Sequence, residues 1–346
     1  FVDKDGNEMT HYEAAWKAII SFGAVSLYVD PSLGSDAVGK GYGSGANATA
    51  SRQYCVDLIP PISGGNVTIN LAAGTYTDAA TIIQGKAFSG AYAITFTGAM
   101  TSQDTGTATI AVAFTGGVSA HTKATLTNTG KAYTVNAHIN RLLVITGGTG
   151  SGQERFIYSN TATVLTIVGD WDTLPNATST YAIKTFDTVI DCNDTRDYAF
   201  KQANQKGIIY KYIKPLNGKD YDYFITNDSY AELRSIYCDD TVAGQTNKKS
   251  VQVVTSNCVI KTANIQFAST SAGCYALSWA AGSITALADF CENIWIYKGQ
   301  LGVVIRTGSI LQFKNTLVAS SGALGLYVIQ NSVAQLQGDL NAPGNV

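Results

Sequence analysis

The stretch LLVITGGTGSGQERFIYSNT, residues 142–161, has the glycine spacing of a phosphate-binding loop. Such a loop wraps phosphate oxygens with backbone N–H groups and places a lysine and then a hydroxyl residue after its second glycine. If Gly147 and Gly152 are the two glycines, those two places hold Gln153 and Glu154, and a carboxylate repels phosphate. The residues that follow alternate as in a strand, whereas the loop requires a helix N-terminus. The glycines therefore predict a hairpin turn between two strands.

Carboxyl groups are the second feature that could support chemistry, and Asp239 and Asp240 stand side by side in the C-terminal part of the chain. Two carboxyl groups that flank a glycosidic bond at a separation of about 5 to 9 Å can hydrolyse it. Neighbouring residues of a strand point to opposite faces, so both can reach one bond only if the chain turns there. We treat Asp239 and Asp240 as candidate catalytic residues, and a solvated turn is the competing interpretation.

Aromatic residues form a third candidate group, which could bind carbohydrate. Its members are Tyr275, Trp279, Trp295 and Tyr297. Aromatic rings offer flat faces to the apolar side of a sugar, and Tyr and Trp add a polar edge for its hydroxyl groups. The strand spacing described below places these residues on adjacent turns of the chain. Core packing or a subunit interface is the alternative.

The composition of the 346 residues indicates a folded protein with a neutral surface. Hydrophobic residues make up 45% of the chain, but only 14% are charged, against about 25% in typical soluble domains. The chain has 23 Lys and Arg against 25 Asp and Glu, and its formal charge is −2. This balance gives no electrostatic attraction for nucleic acid or anionic lipid. The expected partners are neutral or are recognised by shape.

The sequence also argues against membrane insertion, a metal and a cofactor. No apolar run approaches the roughly 18 residues of a membrane span. The six cysteines include no C-x-x-C pair and have no cluster of histidines beside them, so a zinc site is not expected. Buried free thiols are the first interpretation of these cysteines and disulfides the second. The chain begins at Phe1 rather than Met, so a leader or an upstream domain would already be missing.

A repeat of short strands predicts the fold. After an N-terminal segment, stretches such as NVTINLAAGTY and YAITFTG alternate apolar and polar residues. Strands then recur from Asn264, Asn293, Asn315 and Gly338, at steps of 29, 22 and 23 residues. Such a period, with strands and no long helices, is typical of a solenoid in which each coil stacks on the last. We predict an all-β parallel β-helix with asparagines stacked on successive coils, although three asparagines in an Asn-rich chain could coincide by chance.

Two segments depart from this repeat. Tyr12, Trp16 and Ile19 belong to an apolar stripe of helical spacing, which predicts a short amphipathic helix within residues 1–24. Residues 101–185 contain closely spaced strands with tight turns, as in a small antiparallel barrel or sandwich. The predicted organisation is given by these ranges: 1–24 helix and linker, 25–100 and 186–346 parallel β-helix, 101–185 inserted β domain.

Two stretches carry a family resemblance. LYVDPSLGSDAVGKGYGSGANATASRQYCVDLIPPISGGNVTINLAAGTYTD resembles the start of pectin-lyase-like right-handed β-helix proteins, in which a strand, a Gly-Ser-rich loop and a short capping helix lead into the coils. GSGQERFIYSNTATVLTIVGDWDTLPNATSTYAI resembles a barrel inserted into β-helix proteins of bacteriophage tails. The resemblance implies a single-stranded right-handed parallel β-helix. Together the two stretches span less than half of the chain.

The same resemblance implies where an active site would be sought. Family members include pectate lyases, polygalacturonases and phage tailspikes, but transfer of function by fold is analogy. A hydrolase pattern needs clustered acids with Gly-His-Gly nearby, and the histidines lie outside the predicted coils: His11, His121 and His138. A lyase needs a cationic base beside calcium-binding acids, which Arg306 lacks. The stretch DCNDTR, with Asp191, Asp194 and Arg196, is the best local mixture of charges and fits a hydrated turn equally well.

These observations together predict a spike-type or fibre-type protein of a virion tail. It would be a homotrimer, joined to other tail components, that presents its β-helix to a host cell-surface polysaccharide. It would assemble in the host cytoplasm and act outside the cell, and the expectation leans away from an enzyme. The C-terminal stretch ALGLYVIQNSVAQLQGDLNAPGNV keeps strand character without an evident cap, so a partner is expected to cover it. The alternatives are a secreted polysaccharide lyase or glycoside hydrolase, and a self-assembling surface or sheath protein.

Overall fold

The structure is a computed structural model that describes residues 24–337 with internal gaps. The residues left out are 1–23, 60–61, 89–92, 114–123, 227–228, 241–248, 255–258, 270–274, 281–290, 298–300, 307–309, 315–316, 320–323, 329–332 and 338–346. From residue 252 onward the description is of the backbone and its strand pairing. The predicted N-terminal helix and the positions of Asn315 and Gly338 therefore lie outside the described residues.

The part of the chain before residue 99 forms the first coils and a short helix. Its elements are β1 Val25–Val29, α1 Arg52–Asp57, β2 Ile62–Ser63, β3 Val67–Leu71, β4 Gly74–Tyr76, β5 Thr81–Gln84, β6 Ala87–Phe88 and β7 Ile94–Gly98. The helix α1 begins at the N-cap Ser51, whose side chain accepts a hydrogen bond from the backbone N–H of Tyr54. Strand β3 alternates buried and half-buried residues, as expected when one face packs on a core.

A barrel of antiparallel strands follows. Its strands are β8 Met100–Thr107, β9 Ile110–Val112, β10 Thr125–Thr127, β11 Leu142–Gly147, β12 Glu154–Asn160, β13 Val164–Ile167 and β14 Thr180–Phe186. The strand order is β8-β14-β11-β12-β13-β10-β9. Only Ala108 and Thr109 separate the two end strands β8 and β9 in sequence, and the sheet encloses a core of its own.

The chain then returns to parallel coils. Their strands are β15 Thr188–Asp191, β16 Phe200–Ala203, β17 Ile208–Lys211, β18 Lys214–Leu216, β19 Tyr221–Thr226, β20 Tyr230–Asp240, β21 Lys249–Val254, β22 Val259–Ser269, β23 Tyr275–Ala280, β24 Cys291–Tyr297, β25 Leu301–Arg306, β26 Ile310–Lys314, β27 Leu317–Ala319, β28 Leu324–Val328 and β29 Val333–Gln337.

Two parallel sheets run along the stack of coils. The first sheet has the order β1-β3-β7-β17-β20-β22-β24-β26-β29, with β4, β15, β18 and β27 beside this path. The second sheet has the order β5-β16-β19-β21-β23-β25-β28. From β19 to β26, successive strands alternate between the two sheets, and each pairs in parallel with a strand of the coil before, so the polypeptide winds as a helix. The predicted all-β class, the parallel β-helix and the inserted antiparallel barrel are confirmed.

Aromatic rings fill the interior between the two sheets. Phe200 and Tyr223 are register partners on neighbouring coils and stack with centroids 5.4 Å apart and planes inclined by 9°. Phe96 and Tyr210 do the same in the first sheet, at 5.5 Å and 16°. All four side chains are at most 1% exposed. Burial of rings of this size is a major source of stability for the coils.

A buried arginine closes one side of this interior. Arg52 of α1 is 1% exposed, and its Nε donates to Asp78 at 3.0 Å. Its other nitrogens donate to the carbonyl oxygens of Ala79 and Ala199, and its guanidinium lies 5.2 Å from the ring centroid of Phe200. The charge is therefore paired, hydrogen-bonded and packed on a ring, as a buried cation requires.

The barrel rests on the outside of the first sheet. Phe156 of β12 and Phe186 of β14 contact Tyr237 of β20, with centroids 6.4 and 6.1 Å apart. Leu142 and Val168 complete a buried cluster there. The chain enters and leaves the barrel at one point, because the backbone N–H of Asp187 donates to the carbonyl of Ala99 at 3.0 Å. A buried apolar contact therefore holds the barrel against the coils.

Candidate functional site

Strand register brings several of the predicted residues onto one outer face of the first sheet. One column of register partners runs Asp191, Leu216, Asp239, Ala268, Tyr297 and Ala319. The column beside it contains Tyr237, Gln266, Trp295 and Leu317. Ile190, which precedes Asp191 in β15, and Cys238, which lies between Tyr237 and Asp239 in β20, are at most 1% exposed and lie in the interior. The column residues therefore face outward. We call these two columns the outer strip.

Asp239, Trp295 and Tyr297 thus share the outer strip, although the sequence had suggested two separate sites, one acidic and one aromatic. Tyr297 lies two strands from Asp239 in the same column, and Trp295 holds the corresponding position beside Tyr237. The register also adds Asp191 to this group. Candidate acidic and aromatic positions therefore occur along one face of the coils.

The carboxylate of Asp239 is engaged by its neighbours. Lys214 Nζ lies 2.8 Å from Asp239 Oδ2, and the two side chains are 23% and 17% exposed. The same ammonium lies 4.7 Å from the ring centroid of Tyr237. Burial first, and then the charge of Asp239, raises the pKa of Tyr237, so this phenol stays protonated and can donate a hydrogen bond. Asp239, Lys214 and Tyr237 form a polar cluster at the foot of the barrel.

The stretch DCNDTR forms a turn, which was one of the two interpretations of its charged residues. Asp191 Oδ1 accepts from the backbone N–H of Asn193 at 2.8 Å and from Asn217 Nδ2 at 3.0 Å. Asn193 and Asp194 have φ of 49° and 53°, which Asn and Asp tolerate better than most residues. Arg196 donates to the carbonyl of Asp191 at 2.9 Å and to that of Thr77. The guanidinium therefore ties two turns together.

Asp191 and Asp239 are separated by two strand spacings within their column. Neighbouring strands lie about 4.8 Å apart, so the two backbones are about 10 Å apart. Inverting glycosidases place their two carboxyl groups about 6.5 to 9.5 Å apart. The pair is thus close to that geometry, with Leu216 between the two residues.

Other predicted residues fall elsewhere. Asp240 follows Asp239 within β20, where it pairs with Ser269. The strand has no turn between the two aspartates, and such a turn was the condition for both to reach one bond. Tyr275 and Trp279 lie on β23 of the second sheet. Trp279 shares a register column with Ile225, which is buried. The sequence placed the four aromatic residues on adjacent coils but could not assign them to sheets.

A polar contact between the barrel and the coils cannot be read from the sequence. Glu154, the first residue of β12, accepts hydrogen bonds from the hydroxyl groups of Tyr212 and Ser235. Tyr212 and Ser235 are themselves equivalent positions of two successive coils, since Lys211 and Arg234 are register partners. The carboxylate that excluded phosphate binding in the sequence thus fastens the barrel to two coils. No spacing in the sequence signals this role.

The glycine stretch forms the predicted hairpin. β11 and β12 pair in antiparallel fashion, and Gly148, Gly150 and Gly152 between them have φ of 71°, 79° and 89°. Gln153, at the place of the phosphate-binding lysine, instead accepts from the backbone N–H groups of residues 172 and 173 and donates to the carbonyl of residue 173. The side chain stabilises a neighbouring loop of the barrel.

Among the residues that the structure describes, no three His, Cys, Asp or Glu side chains are grouped as a metal site. In the same part of the chain, no helix has the length and apolar character needed to cross a membrane. Cys55, Cys192 and Cys238 are buried, and burial raises the pKa of the Cys55 thiol to about 12.

No family model matches the chain, and no curated protein has a significantly similar sequence. Three solved structures with a related arrangement are phage tailspikes of 9% identity. Gp49 from Pseudomonas phage LKA1 has a TM-score of 0.27 over 86% of this chain and 74% of its own. Gp61 of Pseudomonas phage phi297 has a TM-score of 0.22 over 88% of this chain and 72% of its own. Gp54 of Acinetobacter baumannii bacteriophage AP22, solved with A. baumannii capsular saccharide, has 0.23 over 80% and 64%. At these TM-scores, function rests on the features of this chain alone.

Proposed function

We propose that this chain is the body of a spike-type appendage of a phage tail, and that its coils bind a cell-surface polysaccharide of the host. The observation that carries the proposal is the seven-stranded antiparallel β domain inserted between β7 and β15 of a parallel β-helix. The stretch that resembles the inserted barrel of phage tail proteins lies within this barrel. The proposal includes a homotrimer, attachment to other tail components and action outside the cell.

The outer strip supports a glycan as the ligand. It supplies a carboxylate at Asp239 and aromatic positions at Trp295 and Tyr297, and Lys214, the ion-pair partner of Asp239, adds an ammonium group beside it. Sugar hydroxyl groups both donate and accept hydrogen bonds, and their apolar faces pack on rings. The formal charge of −2 over 346 residues fits a ligand that is not recognised by net charge.

Binding of labelled protein to a panel of encapsulated and non-encapsulated bacteria tests this proposal. We expect binding to encapsulated strains that is lost when periodate oxidises the surface sugars and kept when protease removes surface proteins. Light scattering on the same sample should give three times the mass of the 36.5 kDa chain. Binding that depends on surface protein, or a monomer in solution, would contradict the corresponding part of the proposal. Regular self-assembly without glycan binding would favour a sheath protein.

A glycoside hydrolase is the second candidate, because the register places Asp191 and Asp239 about 10 Å apart on one face. The activity would release reducing ends from a bound polysaccharide, and Asp191→Asn or Asp239→Asn would abolish it. Asp240→Asn is the matched control, since it alters an adjacent carboxyl group of the same strand. Equal loss in the Asp240 variant would restore the doublet as the catalytic pair. An unsaturated product absorbing in the ultraviolet would indicate a lyase instead.

A further inference from the structure

A group of aromatic rings lies on the outer face of the second sheet, away from the outer strip. Phe224 of β19 lies between the buried residues Tyr223 and Ile225 in sequence, so it points outward. The ring of Tyr221 is 4.9 Å from it at an angle of 18°, and the ring of Tyr198 is 6.2 Å away at 23°. We call Tyr198, Tyr221 and Phe224 the aromatic shelf.

The shelf is partly exposed, and the interior does not account for it. All three rings are intermediate in exposure, and the core ring stack of these coils is formed on the other face by Phe200 and Tyr223. A group of half-buried aromatic rings outside the core favours a binding surface, because such rings combine an apolar face with polar edges. The three rings stack on one another across two neighbouring coils, so a ligand would meet their outward edges and the uncovered face of an end ring.

Charged groups border the shelf on several sides. Lys201, the register partner of Phe224, places its Nζ 5.8 Å from the Tyr198 centroid and 5.9 Å from that of Phe224. Asp197, Lys219 and Asp220 are exposed next to the rings in sequence. Burial first, and then these aspartates, raises the pKa values of Tyr198 and Tyr221, which places both carboxylates near the phenols.

The backbone holds the two ends of the shelf together. The N–H groups of Asp220 and Tyr221 both donate to the carbonyl of Asp197, at 3.2 and 2.7 Å. Tyr198 and Tyr221, which follow these residues, are therefore fixed relative to each other by main-chain contacts. A preorganised surface of this kind loses little conformational entropy on binding.

We propose that the aromatic shelf is a second carbohydrate-binding site, for an uncharged stretch of a polysaccharide. One ammonium group, of Lys201, and the carboxylates of Asp197 and Asp220 lie at its border, so a strongly anionic polymer would gain no net attraction. Sugar rings would pack against the outward side of this ring stack, with their hydroxyl groups bonded to Lys201 and the aspartates. This inference rests on the proposed function for its class of ligand, and it concerns a different sheet.

The test uses the full chain and an array of neutral and acidic bacterial capsular polysaccharides. Phe224→Ala should weaken binding to a neutral polymer about 5- to 10-fold, the value of one aromatic contact of roughly 1 kcal/mol. Phe224→Tyr keeps the ring and should restore binding. Tyr42→Ala is the matched control, because Tyr42 is 54% exposed and lies in a distant loop. Circular dichroism of each variant verifies the fold.

The outcomes separate this inference from the proposed function. If the native chain binds polysaccharide and the Phe224 and Tyr42 variants bind equally well, the shelf is not a sugar site and the proposed function stands. If the native chain binds no polysaccharide, both fail. Binding of acidic polymers alone overturns the choice of a neutral ligand. Loss of the oligomer in Phe224→Ala would make the shelf a subunit interface and also overturn the inference.

Discussion

Tyr210 and Tyr223 are interior residues whose phenols make the stability of the coils depend on alkaline pH. Burial raises the pKa of both above the usual 10. Above pH 10 the unfolded chain therefore loses protons that the folded chain retains, and the free energy of unfolding falls by up to about 1.4 kcal/mol per pH unit for each such group. We expect full stability below pH 10 and a steep decline above it, measured by urea unfolding from pH 8 to 11. A free energy of unfolding that does not change between pH 8 and 11 would contradict the burial of these phenols.

Tyr223→Phe should stabilise the protein and reduce this pH dependence. The hydroxyl group of Tyr223 is buried and has no hydrogen-bond partner among the described residues. Leaving a polar group in that state costs about 1 to 3 kcal/mol, so its removal should raise the free energy of unfolding by about 1 kcal/mol. Tyr198→Phe, at a partly exposed ring, is the control and should change little. A loss of stability in Tyr223→Phe would indicate a bonded hydroxyl.

Glu154 should matter for stability although it lies at the surface between two units. Its carboxylate accepts from the hydroxyl groups of Tyr212 and Ser235. Glu154→Ala removes both bonds, and we expect a loss of about 2 to 3 kcal/mol in urea unfolding. Glu154→Gln keeps one acceptor oxygen and should lose about half as much. In the Tyr212→Phe background, Glu154→Ala should cost less, because one bond is already absent. Equal costs in both backgrounds would show that the bond to Tyr212 contributes nothing.

Residue types predicted part of the outer strip and could not predict the rest. Asp239 was singled out as half of an acidic doublet with Asp240, and strand β20 runs through both residues without the turn that would let both reach one bond. Asp191 joins Asp239 only through the register of three strands. Register depends on the length of each intervening loop, which a single sequence does not fix.

At the scale of the elements, one corner of the coil repeats with a left-handed backbone. Tyr212 and Ser235 occupy it on successive coils with φ of 59° and 48°. Asn264 and Asn293 occupy the same position on the next two coils. The residues on either side of Asn264 pair with those on either side of Ser235 in one neighbouring strand and of Asn293 in the other. Asn is among the few residues that accept this conformation readily. The predicted alignment of these two asparagines is therefore confirmed, and we expect both to share the left-handed backbone of Tyr212 and Ser235.

This conformation predicts an unusual order of substitutions at Asn293. Asn293→Gly should be tolerated within a few tenths of a kcal/mol, because glycine adopts a positive φ freely. Asn293→Val should cost about 1 to 2 kcal/mol, although valine normally favours strands. Thermal unfolding of the two variants measures the difference. If valine proves the better residue, the corner at this coil does not share the conformation seen at Ser235.

Strand periodicity predicted the coils well because their interior positions alternate with period two. It could not predict how the chain divides between sheets, since the strands of both sheets have the same alternation. Glycines at close contacts were also invisible in the sequence. A Cβ on Gly98 would lie 2.1 Å from the carbonyl oxygen of Tyr212, so only glycine fits there. Such a contact depends on a coil that lies far away in the sequence.

At the scale of the whole molecule, the barrel has its own core and should fold without the coils. That core includes Leu126, Ile157 and Trp171, whose indole N–H donates to the carbonyl of Thr125 at 3.2 Å. The two ends of the segment are adjacent through Ala99 and Asp187. We therefore expect residues 99–187, expressed alone, to show one cooperative thermal transition by circular dichroism.

Two variants of this isolated barrel make the test specific. Trp171→Ala should abolish or sharply lower the transition, because loss of a buried Trp costs about 3 to 5 kcal/mol. Phe186→Ser changes a ring that packs on Tyr237 of the coils and on Phe156 of the barrel, so it should lower the stability of the isolated barrel less than Trp171→Ala does. In the full chain the same substitution should weaken the contact with Tyr237 and lower the stability. Cooperative unfolding only in the presence of the coils would show that the barrel depends on them.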